Sequence, residues 1–485
     1  MHLKKLISEV NHSEISGNAD IEIAGLSYDS RRVKEGELFF CIRGLKADGH
    51  KFAKKAVEAG AKVVVVERML PEVEATQIVV DDARKAMARM ASAYFNHPTK
   101  RIKLIGITGT NGKTTTSFMV ESILRAQGYK TGLLGTVEYR IGDNNLPVNR
   151  TTPESLDLQS LFAQMVDVGV EAAVIEVSSH AIDLQRVEAC DFDVVVFTNL
   201  SQDHLDYHGT MDEYFNVKKR LFDLAFERGI TQIINIDDQY GRLLIREGQN
   251  SQLRYSTKDK VELYAKNITL RADGSDVELV TPWGEVEVLL KIPSHYNVYN
   301  ALAAAGAAFA VGADKYKVKE GLEKVSHVPG RFERVDCGQD FTVIVDYAHT
   351  PDSLEKVLTA ARQLAQRKLI TVFGCGGDRD KGKRPLMGRI AVEFSDWVII
   401  TSDNPRSEEP IQIIEDIKSG INNKSAYEVE EDRRRAIKLA LEKAEKGDIV
   451  VIAGKGHEQG QEIGGRVIPF DDVAIAREVL EEMMK

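Results

Sequence analysis

Cysteine is scarce in this chain: Cys41, Cys190, Cys337 and Cys375 are the only four among 485 residues. Their scatter gives neither the paired spacing of a metal site nor that of a redox motif, so they are expected as reduced core or near-core residues, not nucleophiles. An excess of basic charge is missing as well. The net charge of −10 argues against a general nucleic-acid binder, although a local basic pocket for an anionic ligand remains compatible with it. Long hydrophobic runs are also lacking. The longest, such as Ala61 to Val66 and Ile449 to Ala453, are strand-sized and far short of a membrane span. Lys4 and Lys5 put charge where the apolar core of a signal peptide would lie, which leads to the expectation of a cytoplasmic protein. No low-complexity tract occurs, and 43% hydrophobic with 28% charged residues is the balance of a soluble globular chain long enough for about three domains.

What the chain does have is Gly109-Thr-Asn-Gly-Lys-Thr-Thr115, set between a strand-like and a helix-like run. Lys103 to Thr108 has the apolar character of a buried parallel strand. Thr115 to Gln127 spaces Phe118, Ile123 and Leu124 as a helix would and stops at Gly128. Strand, glycine loop and helix together make a phosphate-binding loop. Gly109 and Gly112 let backbone N–H groups turn inward, and the helix N-terminus adds its positive end. Lys113 supplies a charge for the β- and γ-phosphates, and Thr114 can ligate Mg²⁺. Only two residues separate the glycines, against four in the general pattern. By itself the loop leaves motor, kinase, regulatory NTPase and ligase open.

The rest of the chain reads as α/β throughout. Residues 1–98 form a small α/β domain of short strand-like runs (37–42, 62–66, 77–80) and helical ones (52–59, 83–95). Two polar segments, 27–32 and 43–50, are candidates for an anion site, and 96–101 reads as a linker because Pro98 disfavours helix before it. From 99 to 328 strands and helices alternate, which argues a mainly parallel sheet, with an antiparallel insertion over 253–292 and a helix resuming at Tyr296. From 329 to 485 a second alternating, Rossmann-like pattern has strands at 342–346, 369–373, 397–400 and 448–453, each followed by a polar or glycine-rich loop. Ligands in such sheets sit at the carboxyl ends of strands.

Candidate chemistry falls in these loops. In the central domain Glu176 and His204 are candidates to hold a divalent metal together with phosphate oxygens. In the last domain, Gly374 to Arg384, Asp403-Asn-Pro-Arg406 and Ala453-Gly-Lys-Gly-His-Glu458 bring flexible backbone, an arginine and acids toward one small zwitterion.

Gly109 to Thr115, Glu176-Val-Ser-Ser-His180, Asn199 to Gly209, Tyr296 to Asn300, Pro329-Gly-Arg331, Asp346-Tyr-Ala-His-Thr-Pro351 and Asp403 to Arg406, in that order, resemble the Mur ligase family over essentially the whole chain. The resemblance implies three domains, with a central P-loop ATPase domain binding ATP. It also implies an amide ligase working through an acyl phosphate. By carry-over, Gly109, Thr110, Asn111, Gly112, Lys113, Thr114, Thr115, Asn297 and Arg331 contact ATP, with Lys113 on the moving phosphoryl group and Asp346 at the ribose or in assembling the closed site. Ser30, Thr151, Thr152, Ser178 and Arg186 bind a UDP-N-acetylmuramoyl dipeptide. Two Mg²⁺ sites are implied, drawn from Thr114, Glu176, His204 and Lys218. The matching lysine of relatives is carbamylated by CO₂, chemistry that needs the neutral amine. For the incoming amino acid the implied set is Arg379, Asp403, Asn404, Pro405, Arg406, Gly454 and Glu458. Arg406 can grip the distal carboxylate of meso-diaminopimelate bidentately, a group that lysine lacks. A monomer acting on small molecules, with neither nucleic acid nor membrane as partner, is the expectation. A lysine-adding ligase of the same family and a regulatory P-loop NTPase are the alternatives.

Overall fold

Runs of four to six apolar residues, too short for helices, become buried strands, and their period of two divides each run between the two faces of a sheet. The amino-terminal sheet shows this plainly. Val63 and Val65 pack with Leu38, Phe40, Leu6, Met87 and Met90, while Val64 and Val66 face the other way, toward Phe39, Cys41, Ala53, Ala56 and Leu70. The computed structural model describes residues 1–44, 47–148, 150–246, 251–271, 274–422 and 426–484. Leu45 and Lys46, in the expected anion segment 43–50, and residues 272–273, in the expected antiparallel insertion, lie outside them. The chain is mixed α/β with parallel sheets in successive domains, and it separates into two compact units. The first is Met1–Thr108, Gly128–Val196 and Val217–Gln232, and the second is Gly109–Gln127, Phe197–Asn216 and Ile233–Lys485.

In the first unit, the amino-terminal sheet runs in the order Glu14–Ser16, Thr76–Val79, Val63–Val66, Leu38–Phe40, Leu26–Ser27. All neighbours are parallel except the first pair. The stretch expected as a linker is instead a tight turn, Pro98–Arg101, with Pro98 and Thr99 buried. Thr99 Oγ1 donates to Asp191 at 3.0 Å, which secures it where a tether would be loose. Beyond it Lys103–Thr108 and Thr131–Leu134 flank Ala172–Glu176, all parallel and wholly or nearly buried. Lys103 opens the strand that delivers the phosphate loop, and Glu176 ends the one beside it.

In the second unit the phosphate-loop helix Lys113–Gln127 packs against two helices, His295–Ala310 and Lys315–Lys324. Of the expected antiparallel insertion 253–292, Leu263–Arg271, Gly274–Thr281 and Gly284–Leu290 are antiparallel, whereas Gln252–Ser256 pairs parallel with the first of them. The carboxy-terminal sheet has the order Glu333–Val335, Thr342–Asp346, Ile449–Ala453, Leu369–Phe373, Trp397–Ile400, Tyr427–Val429, parallel after the first pair. Its register puts Asp346, Ala453, Phe373 and Ile400 level with one another. Four strands therefore end on one rim, and the loops that follow them share it.

Candidate active site

The phosphate loop is shaped by two glycines in the left-handed region, Gly109 at φ +147° and Gly112 at +85°. Space as well as angle requires them. A Cβ on Gly109 would lie 1.9 Å from Thr198 Oγ1, and one on Gly112 would lie 2.5 Å from Asn300 Oδ1. The loop is laced to the segment after Phe197. Thr110 N donates to Asn199 O at 2.9 Å, Asn111 N donates to Asn199 Oδ1 at 3.0 Å, and Thr198 Oγ1 donates to Asn111 O at 2.7 Å. Lys113 Nζ arches back to Gly109 O (3.0 Å) and Thr110 O (2.7 Å), so a cation sits over the cradle. Asn297 orients Asn300, whose Oδ1 accepts from Thr116 Oγ1 at 3.3 Å. Thr114 Oγ1 accepts from Arg331 Nη2 at 3.2 Å. Arg331 also lies over the Tyr347 ring at 4.6 Å, and its buried Nε lacks a partner among the described residues. An orphaned guanidinium N–H beside a phosphate cradle suits an anionic ligand.

Asp346 closes this arrangement from the carboxy-terminal sheet. Its Oδ2 accepts from Phe332 N at 2.6 Å. Burial pushes its carboxyl up to about 6, against the pull of Arg331 and of the Phe332 and Ala348 N–H groups. The chain then turns into the helix Pro351–Leu364 through a reciprocal cap, Thr350 with Ser353, and a proline in the first helical turn. Asp352 in that turn accepts from Asn111 Nδ2 at 2.6 Å and Ser201 Oγ at 3.1 Å.

His204 adopts the left-handed conformation at φ +54°, and its Nε2 lies 3.2 Å from Asp203 Oδ2. Burial opposes ionisation of Asp203, yet His204, His349 and Lys383 hold its carboxyl below the usual range. His349 Nε2 is 3.9 Å from the same oxygen, and burial and Lys383 push this imidazole down to about 4. Asp203 and His349 were not singled out from the sequence. Both lie inside the quoted motifs, but nothing in their spacing announces that two loops 146 residues apart, residues 203 and 349, meet.

On the carboxy-terminal rim Asp403 and Asn404 are buried. Asn404 Nδ2 donates to Glu458 Oε2 at 2.7 Å. Lys455, fully buried, donates to Asn404 Oδ1 (3.0 Å) and Glu458 Oε2 (3.1 Å). Gly454 lies so close that a Cβ would come 2.5 Å from Asp403 Oδ2. Pro405 carries the chain to Arg406, whose Nη1 donates to Gly377 O at 2.7 Å. Arg379 is exposed and bonds Asp378 O, so the structure does not draw it into the Asn404–Glu458 set. Lys455 is the member the sequence reading passed over. A lysine in a glycine-rich loop looks solvated until the fold buries it.

The first unit gathers the other predicted residues. Glu176, fully buried, accepts from Thr136 N and Oγ1, both at 2.9 Å. Thr136 Oγ1 meets Thr151 Oγ1 at 3.1 Å. Thr152 Oγ1 donates to Glu176 O at 2.8 Å and accepts from Ser178 N at 3.1 Å. Arg186 Nη1 donates to Thr152 O at 3.1 Å, while its Nη2 pairs with buried Glu154 at 2.9 Å. Thr151, Thr152, Ser178 and Arg186 thus form one network with Glu176, bridged by Thr136 and flanked by Glu154, neither of which had been singled out. Ser30 lies apart from it, in the turn braced by the Asp29–Arg31 pair. Lys218 is 1% exposed and donates to Thr108 Oγ1 at 3.2 Å, so the helix Met211–Glu227 buries a lysine that its sequence would leave in solvent.

The cysteines stay out of the chemistry. Cys41, Cys190 and Cys375 are buried, and burial pushes the Cys41 and Cys375 thiols up to about 12.

Comparison with known proteins places the whole chain. Residues 22–95 match the Mur ligase family catalytic domain, residues 107–308 the Mur ligase middle domain, and residues 330–456 the Mur ligase glutamate ligase domain. Among curated proteins, UDP-N-acetylmuramoyl-L-alanyl-D-glutamate--2,6-diaminopimelate ligase 1 of Clostridium acetobutylicum is 47% identical, covering 100% of both chains. The 2,6-diaminopimelate ligase of Geobacillus kaustophilus is 48% identical over 99% of this chain and 100% of its own. A solved structure of a UDP-N-acetylmuramoyl-L-alanyl-D-glutamate--2,6-diaminopimelate ligase superposes with a TM-score of 0.70 at 34% identity, covering 100% of this chain and 99% of that one. With a glycine-shaped loop, buried carboxylates and a polar rim in place, and with likeness running end to end, the chain belongs to the Mur ligase family of ATP-dependent, amide-forming ligases.

Proposed function

We propose that this ligase adds meso-2,6-diaminopimelate to UDP-N-acetylmuramoyl-L-alanyl-D-glutamate, a step of peptidoglycan precursor synthesis, as a monomer in the cytoplasm. Its domains are taken as 1–98 for the UDP-sugar, 99–328 for ATP and 329–485 for the amino acid. The observation that carries the substrate choice is Arg406, whose guanidinium stands on the same rim as Glu458 with its buried partners Asn404 and Lys455. An arginine fork for a second carboxylate and a carboxylate for an ammonium complement a long zwitterion bearing both.

A glutamyl γ-carboxylate oxygen attacks the γ-phosphorus of ATP, ADP leaves, and an acyl phosphate forms. The amine nitrogen of diaminopimelate then attacks the acyl carbon, losing a proton and expelling phosphate. Lys113 and Arg331 stabilise negative charge on the transferring phosphoryl group, an effect typically worth about 10²- to 10³-fold per preorganised donor. Asn297, acting with Asn300, keeps the cradle open for the nucleotide, and Asp346 aligns the segment from Arg331 to the ribose. Ser30, Thr151, Thr152, Ser178 and Arg186 bind the UDP-linked dipeptide. The donor types fit Mg²⁺: a buried hydroxyl (Thr114), a buried carboxylate (Glu176) and an imidazole (His204). Mg²⁺ typically takes only a few protein ligands and keeps water and phosphate oxygens in its shell. Bound there, Mg²⁺ would supply charge neutralisation for the phosphates, and Lys218 as its carbamate would add an oxygen ligand.

The test is a mass-spectrometric assay of purified protein with ATP, Mg²⁺ and the UDP-dipeptide, offered diaminopimelate and L-lysine separately. Tripeptide from diaminopimelate alone is the expected result. Preferential lysine addition would keep the ligase and overturn the role of Arg406. ATP hydrolysis with no adduct from either amine would return the protein to the regulatory NTPase reading.

A further inference from the structure

Arg406 is a non-glycine residue at φ +54°, a conformation that neighbouring structure has to impose. The imposing element is the two-stranded hairpin Gly460–Ile463 with Arg466–Pro469, to which no site role has been attached. Its first strand and turn grip the Asp403–Arg406 loop along its whole length. Gln461 Nε2 donates to Asp403 O at 2.7 Å, and Glu462 N donates to Asn404 Oδ1 at 2.9 Å. Arg406 N donates to Glu462 O at 2.9 Å, and Gly464 N donates to Arg406 O at 2.7 Å.

The same hairpin also reaches the guanidinium. Glu462 Oε2 lies 3.2 Å from Arg406 Nε, on one side, and Gly377 O accepts from Nη1 at 2.7 Å on the other. The floor beneath is glycine, because a Cβ on Gly376 would come 2.9 Å from Nη1. An arginine binds a carboxylate through either its Nε/Nη2 edge or its terminal Nη1/Nη2 edge. With Glu462 Oε2 at ion-pair distance from Nε and Gly377 O taking one Nη1 hydrogen, the second Nη1 hydrogen and Nη2 are the donors left for a ligand.

We infer that Glu462 is a specificity-determining positioning residue, which blocks the side edge of Arg406 and aims its terminal edge at the distal carboxylate of the incoming amino acid. This rests on the diaminopimelate reading above. Glu462 is 44% exposed, so its replacement leaves the core untouched.

The experiment is steady-state kinetics on the full-length enzyme, wild type against E462A, E462Q and V467A, with diaminopimelate and lysine as competing acceptors. Val467 is 72% exposed and stands opposite Glu462 in the hairpin, which makes V467A the control for damage to the hairpin. For E462A the Michaelis constant for diaminopimelate should rise about fivefold, the upper end for a partly exposed ion pair. Its kcat and the Michaelis constants for ATP and the UDP-dipeptide should stay at wild-type values, and the slow rate with lysine should not change, so discrimination falls by the same factor. E462Q keeps an oxygen of the same reach against that edge but not the charge, and should recover part of the loss, while V467A behaves as wild type. Unchanged or tighter diaminopimelate binding in E462A overturns the inference, as does an equal loss toward all three substrates or an equal loss in V467A. A wild-type enzyme that adds no diaminopimelate overturns the underlying reading instead, and that arm is measured first.

Discussion

Lys113 and Asp346 show how much a single side chain carries here. Lys113 lies over its own loop on two carbonyls, so its replacement removes charge from the cradle without opening a core cavity. K113A is expected to lower kcat by about 10²- to 10³-fold while leaving unfolding within about 0.5 kcal/mol, measured by ADP release and urea titration. Asp346 makes a prediction about pH. Its folded carboxyl is raised from 3.8 to about 6, so its contribution to stability is complete below 3.8 and is lost as pH rises through about 6, because the native state then holds the extra proton. His349 runs the other way. Lowered from 6.5 to about 4, its contribution is present above 6.5 and is lost as pH falls toward 4. D346N should therefore gain thermal stability relative to wild type between pH 4 and about 6, and H349N should lose least at pH 4 and most above 6.5. Calorimetry across that range checks both, and a variant-to-wild-type difference that is flat with pH sinks the assignment.

At the level of elements, the carboxy-terminal rim depends on an ion pair beneath it. Arg433 opens the helix Arg433–Lys443 and Asp472 opens Asp472–Met483. Their side chains are wholly buried and bonded at 2.7 Å, and Arg433 Nη2 also donates to Ala453 O at 3.0 Å. Two helix starts and a strand end are thereby fixed under the loop that carries Lys455 and Glu458. Removing one partner leaves a buried charge uncompensated, so D472A is expected to cost about 3–5 kcal/mol. Replacing both by apolar residues, R433M with D472L, should cost less than D472A alone, as a double-mutant cycle in urea would show. The larger loss in the double variant would mean that the pair contributes attraction beyond its desolvation cost.

For the whole molecule the expectation is strict coupling. An acyl phosphate formed only when acceptor and nucleotide are both seated yields one ADP per amide, and closing loops keep water from the intermediate. ADP and tripeptide measured in the same tube should match one to one with all substrates present, and ADP formation should fall at least about tenfold when the UDP-dipeptide is omitted. Rapid ATP hydrolysis without the dipeptide would contradict it.

Much of this was legible in the sequence, because periodicity and glycine placement are local. The strands Thr342–Asp346, Leu369–Phe373, Trp397–Ile400 and Ile449–Ala453 follow from apolar runs bounded by polar loops, and the helix Lys113–Gln127 follows from its spacing and from Gly128. The ordered motifs were enough to point to the family. What periodicity does not encode is which loops share a rim. The meeting of Asp203 with His349, the burial of Lys455 and Lys218, the exposure of Arg379 and the grip of the 460–469 hairpin on Arg406 all join positions far apart in the chain. They depend on sheet register and on which side chains the packed helices exclude from water. A lysine reads as solvated because charge is costly to bury, and only the tertiary structure reveals the oxygens that offset that cost.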